Sequence, residues 1–423
     1  MTYGLGSKKK MREFGLLVIV VLLIAGCGGV QDDPSAVTTD GEDGEFTTDA
    51  RNATPGEPTV AESGGISVRG GTLSVNATAV FRNLLALIDV DTNQPIIVIE
   101  NRTETDGDET SALLVDDFGS TLGLTPPEET ATPDRPGGYT VKSTVHVVPD
   151  NGSDAEMERL LAHEFVHVIQ YQKEWPSYLH EPSPNNDANT RLLSRCLSEG
   201  SATYVTDEYV RRYSVDVESD TALMRSEYFE SNGTEKYFYA PYYFCSRHLH
   251  SRLDSPSDVA EAYRNPPVTT EQVIHNYSPQ EELPEELDVT VNETNASWDL
   301  WTDSTKGELF TRVVLANVLS EEEASRAATG WGNDRLLEFR DDGRRSYVWI
   351  LRWDSANDAD QFVQSFEQYL EARNAGPDDC VDSTCFEQRR LGPKTSAVLV
   401  GRSSFPPNVT TERENSTIAV DVA

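Results

Sequence analysis

Two stretches of the chain combine helical periodicity with a strong apolar face. Residues 156–173 carry Leu160, Leu161, Phe165, Val168 and Ile169 at helical spacing, with Asp154 as the expected N-cap. Residues 191–212 read as a second helix, and a third is expected around 241–253. Upstream, 75–87 reads as a helix carrying Val80, Leu84, Leu85 and Leu87. Residues 95–100 read as a buried strand and 139–148 as one further strand. Segments 104–137, 176–184 and 280–295 read as loops, and 271–276 as a short helix capped in Thr269–Gln272 spacing.

The remaining pattern describes a smaller α+β unit. Helices are expected at 308–319 and 321–329. Strands at 334–340 and 345–353 are joined through Asp341-Asp342-Gly343, a hairpin signal. Ser355 and Asp358 cap a helix whose face carries Ala359, Phe362, Val363, Phe366 and Leu370, and 395–402 is a last strand. Trp331, Trp349 and Trp353 are expected in its core. The chain is therefore divided into 1–27, a leader; 28–68, an acidic tether low in aliphatic residues; 69–300, the main domain; and 301–423, a C-terminal domain with a flexible tail.

The leader carries Lys8, Lys9, Lys10 and Arg12 ahead of an apolar run at 14–24, too short for a comfortable membrane span. It ends Ile24-Ala25-Gly26-Cys27. This is similar to a lipoprotein signal peptide, in which Cys27 becomes the lipidated first residue and holds the chain on the outer face of the membrane. Ten Asn-x-Ser/Thr sequons, from Asn52 to Asn415, fit a glycosylated surface protein. Export permits oxidation, so the remaining cysteines are expected to pair as Cys196–Cys245 and Cys380–Cys385 rather than stay free thiols.

Charge narrows the function classes. The 71 Asp and Glu residues against 35 Lys and Arg give a formal net charge of −36, which repels nucleic acid. Lysine is scarce: beyond residue 10 only Lys142, Lys173, Lys236, Lys306 and Lys394 remain. An acidic, lysine-poor chain that keeps core-like periodicity fits adaptation to high salt, where self-repulsion is screened.

The candidate chemistry is His163-Glu164-Phe165-Val166-His167 on the helix at 156–173. Residues four apart share a helix face, so both imidazoles reach one ion, and Glu164 emerges beside the first. A zinc ion held there lowers the pKa of its water toward neutrality, and Glu164 is placed to take the proton. The next helix supplies Glu199-Gly200-Ser201-Ala202. Glu199 completes a His2Glu set, and the small Gly200 and Ala202 are expected to let this helix pack closely on the first.

His-Glu-Phe-Val-His-Val-Ile-Gln followed by Glu-Gly-Ser-Ala-x-Tyr resembles the gluzincin superfamily of zinc metallopeptidases. The resemblance covers about residues 139–275. It implies a small sheet with helices bearing the two motifs, zinc held by His163, His167 and Glu199, Glu164 as base, and a protein or peptide substrate. It also implies an oxyanion-stabilising tyrosine, which the match puts at Tyr242, with Tyr239 and Tyr243 as alternatives; Cys245 stands where glycine is usual. A segment beginning Pro266-Pro267 and ending at His275 is likewise similar to one in proteins of this kind, with no role attached. His146, His180, His248 and His250 are not expected among the ligands. Against the peptidase stand a catalytically inactive gluzincin-fold surface glycoprotein and, third, a transport lipoprotein, which lacks the expected doubly wound pattern.

Overall fold

The structure is a computed structural model and describes residues 65–101, 115–125, 135–175, 188–293, 298–373, 380–381, 383–414 and 417–422. The expected leader, Cys27, nearly all of the tether, His180 and the loop at 176–184 lie outside them. No described helix is long and apolar enough to cross a membrane. The fold is mixed α+β.

A four-stranded sheet opens the main unit. Its strands are β1 (Ser67–Arg69), β2 (Ile96–Ile99), β3 (Gly137–Val141) and β4 (Thr144–Val148), in the order β1-β2-β4-β3. β1, β2 and β4 run parallel, and β3 is an antiparallel edge. The single strand expected at 139–148 is thus a hairpin. Its turn holds Lys142 at φ 58°, a left-handed conformation that no glycine or asparagine advertised. Ile97, Val145 and Val147 turn inward onto α1 (Ala77–Ile88) and α3 (Asp154–Gln172), while α2 (Asp117–Thr121) packs elsewhere.

Ser153, not Asp154, caps α3. Its hydroxyl accepts from the Glu156 amide, while the Glu156 carboxylate accepts from the Ser153 amide, so two end donors are satisfied reciprocally. Helices α4 (Ala188–Tyr213), α5 (Asp220–Glu230), α6 (Gly233–Arg252), α7 (Val259–Arg264) and α8 (Thr270–His275) follow. Phe165, Ala202, Tyr204 and Val205 join α3 to α4 in one apolar cluster. The close approach expected between them at Gly200 lies on another side. A Cβ on Gly200 would sit 2.3 Å from the Cβ of Cys245, so the glycine admits α6, and Cys196 and Cys245 form a disulfide across that crossing.

The C-terminal unit begins before residue 300. β5 (Asp288–Glu293), expected as loop, pairs in parallel with the last strand, β13 (Thr417–Val422), which also pairs with β12 (Val409–Glu414). The larger sheet is fully antiparallel, in the order β6-β7-β8-β11-β10-β9. These strands are β6 (Asp299–Ser304), β7 (Trp331–Asp341), β8 (Arg344–Trp353), β9 (Cys380–Val381), β10 (Thr384–Gly392) and β11 (Thr395–Gly401). A disulfide joins Cys380 to Cys385 between β9 and β10.

Both faces of this sheet are buried. On β8, Val348 and Ile350 face the three-stranded sheet, whereas Tyr347, Trp349, Leu351 and Trp353 face helices α9 (Gly307–Ala316), α10 (Glu321–Ala328) and α11 (Ala356–Ala372). That second cluster continues without a break into Leu192 and Cys196 of α4 and Tyr242 of α6. Gly307, at φ 86°, lets the start of α9 meet Thr270 and Asn189. Two of the five lysines beyond residue 10, Lys236 and Lys306, are buried on Glu321 and Asp116.

Candidate metal centre

α3 brings His163, Glu164 and His167 to the wall it shares with α4, and all three are buried with Glu199. The Nε2 of His163 lies 3.6 Å, and that of His167 3.4 Å, from Glu199 Oε2. None of these three atoms has a hydrogen-bond partner. Buried polar atoms are ordinarily paired, so three orphans facing one point mark a place for a further group. A tetrahedral zinc ion at roughly 2.0–2.1 Å from each ligand separates neighbouring ligand atoms by roughly 3.4 Å. The donor set fits that ion in type, number and spacing, and among the described residues it is the group identified as able to hold a metal.

Each imidazole is fixed from behind. His163 Nδ1 lies 2.7 Å from Asp220 Oδ2, and His167 Nδ1 lies 2.8 Å from Gln170 Oε1. With Nδ1–H donating to these acceptors, both Nε2 lone pairs point into the centre. Arg159, 3.8 Å from Asp220, backs the carboxylate.

Burial opposes charge on His163, but Asp220 and Glu199 outweigh it and push the imidazole up to about 10. Burial also opposes ionisation of Glu199, and the two histidines overcome it and hold the carboxyl far below its ordinary range.

Glu164 faces the same space. Thr140, on the edge strand β3, donates to Glu164 Oε2 at 2.8 Å, leaving Oε1 buried and unpartnered. Burial raises the Glu164 carboxyl above its usual range, against the pull of His167 and His163. Of the three candidate tyrosines, Tyr242 is the one at the centre. Its ring stacks 6.2 Å from that of His163, and its buried hydroxyl lies beside Glu199 without a hydrogen bond of normal geometry. Burial, then the Glu199 charge, keep that hydroxyl protonated and therefore a donor. Tyr239 faces Arg135 and Glu227, and Tyr243 packs among Tyr228, Phe229 and Phe244. Cys245 is taken up by its disulfide.

Three supporting residues escaped the sequence reading. Gln170 follows His167 by three on the same face, a signal that was present but unassigned. Thr140 sat in the expected strand without a stated direction. Asp220 had no signal, since it stands 57 positions from His163 on the unexpected helix α5. The other described histidines are engaged elsewhere: His146 with Glu100, His250 with Asp207 and His275 with Glu308. His248 is held neutral by burial, its pKa lowered to about 4.

A family model described as a domain of unknown function (DUF8575) matches residues 299–417, from β6 to the first residue of β13. No curated protein and no solved structure matches the chain. The family match lies wholly beyond His163, His167 and Glu199, so the reading of the centre rests on its own geometry.

Proposed function

We propose that the protein is a zinc-dependent peptidase of the gluzincin type, exported and held on the outer face of the membrane through lipid on Cys27. The observation that carries the reading is the convergence of three buried, unpartnered ligand atoms, at the spacing a tetrahedral zinc ion requires, beside a carboxylate with its own free oxygen. Bound there, zinc would supply Lewis-acid activation of water and of the scissile carbonyl. Glu164 accepts the proton at Oε1 while Thr140 holds the other oxygen, and later returns it to the leaving amine. Tyr242 donates its O–H to the carbonyl oxygen as negative charge grows there. Among the described residues β3 is an edge strand paired with β4, and we assign an extended peptide substrate to this edge, beside Glu164. Cys245 in place of glycine, together with the sequon-rich surface, is what favours an inactive surface glycoprotein instead. A cysteine spent on a disulfide removes no group from the centre.

The test is metal content and hydrolysis of the full chain in high salt. We expect about one zinc per chain, lost in His163→Ala and Glu199→Ala. Glu164→Gln should keep the metal and lose peptide hydrolysis by about 1,000-fold or more. A wild-type chain that folds and takes up no zinc refutes the proposal. Cleavage retained in Glu164→Gln refutes the assigned base.

A further inference from the structure

Gln170 makes an unusual set of contacts for a residue outside the ligand set. It is buried, and its Oε1 accepts from His167 Nδ1 at 2.8 Å. Its Nε2 lies 2.8 Å from the Ser198 carbonyl oxygen, 2.9 Å from Ser201 Oγ and 3.0 Å from the Tyr263 hydroxyl. Ser198 immediately precedes Glu199. One carboxamide therefore grips the ring of one ligand with its acceptor end and the backbone next to another with its donor end. The far side of the network is anchored too. Tyr263 on α7 hydrogen-bonds Ser201 and the Leu197 carbonyl, and its ring stacks against Trp175 at 5.4 Å.

We infer that Gln170 is the positioning residue that sets the separation between His167 and Glu199, and that it selects the Nδ1–H form of His167. This rests on the zinc reading above. The two histidines are then backed unequally, His163 by a carboxylate and His167 by a neutral amide. The amide does both jobs at this place. A carboxylate would accept from His167 but would oppose the Ser198 carbonyl, and an amine would donate to that carbonyl but offer nothing to His167.

The experiment measures the zinc dissociation constant of the full chain by chelator competition, with thermal unfolding in chelator alongside. Gln170→Met keeps the side-chain length and removes both ends. It should weaken zinc binding by about 10–100-fold. Leu399→Ala, in the core of the C-terminal sheet, is a control that lowers stability away from the centre and should leave affinity unchanged. Gln170→Glu restores the acceptor alone and should recover part of the affinity. It also carries the test if the Met variant does not fold, with binding still at least about threefold weaker than wild type. Zinc bound within about twofold of wild type by either folded variant overturns the inference while leaving the zinc reading intact. A wild-type chain that binds no zinc overturns both.

Discussion

Gly200→Ala sets two well-characterised effects against each other. In an open helix the added methyl stabilises by about 1 kcal/mol, through helix propensity and a less flexible unfolded chain. Here the new Cβ would stand 2.3 Å from Cys245 Cβ, 3.0 Å from its carbonyl carbon and 3.1 Å from its Cα. None of these atoms is the end of a flexible side chain, and the disulfide to Cys196 holds them in place. Restoring ordinary contact requires α4 and α6 to separate by about 1 Å, an overpacking that costs about 1–3 kcal/mol. We take the upper part of that range because the cystine resists the shift, which leaves a net loss of about 2 kcal/mol. The midpoint of thermal unfolding should fall by about 3 °C in chelator. Glu199 is the preceding residue, so displacement of α4 also spoils the ligand spacing, and zinc affinity should fall by about tenfold or more. Denaturant unfolding and chelator competition on the same preparations measure both. A variant as stable as wild type, or more stable, would refute the argument that this crossing depends on the absence of a side chain.

Three further outcomes are expected. Asp220→Asn leaves His163 without its carboxylate partner and should reduce zinc affinity by about 10–100-fold in the same competition assay. Tyr242→Phe should lower kcat by about 100-fold with little change in KM, since its hydroxyl acts on charge that develops only during reaction; an unchanged kcat would remove Tyr242 from that role. Glu271 is buried, and burial, with Glu308 and Asp354 adding to it, pushes its carboxyl up to about 9. The folded protein therefore holds a proton that the unfolded chain releases near the ordinary carboxylate pKa. Stability should fall as pH rises from that value to about 9 and level off above it. Glu271→Gln should flatten this dependence and stabilise the protein at pH 8 by roughly 1–3 kcal/mol, read from unfolding midpoints across pH.

What could be read from the chain beforehand was what local periodicity encodes. α3 and α4 carry long apolar faces, so the helix that presents His163 and His167 and the one that presents Glu199 were both visible. α5 was not, because its sequence DTALMRSEYFE buries only Asp220, Met224 and Tyr228 and shows no sustained stripe. The partner of His163 disappeared with it. Gly200 was recognised as a contact glycine but given the wrong neighbour, since a small residue announces a close approach without saying to what. β5 lay hidden in an acidic stretch. Its alternating Val289 and Val291 face a core completed by β13 at the far end of the chain, and that pairing leaves no local trace.

The cluster that runs from Trp349 and Phe362 into Leu192, Cys196 and Tyr242 has a practical corollary for dissecting this chain. A cut at residue 300 would strip β5 from its partner and lay open, on both fragments, apolar surface that the other half covers. The family-matched region and the helices bearing His163, His167 and Glu199 are then better regarded as one folding unit than as two detachable modules. Trp349, Phe362 and Tyr242 share that one cluster, so repacking at either of the first two should be felt at Tyr242.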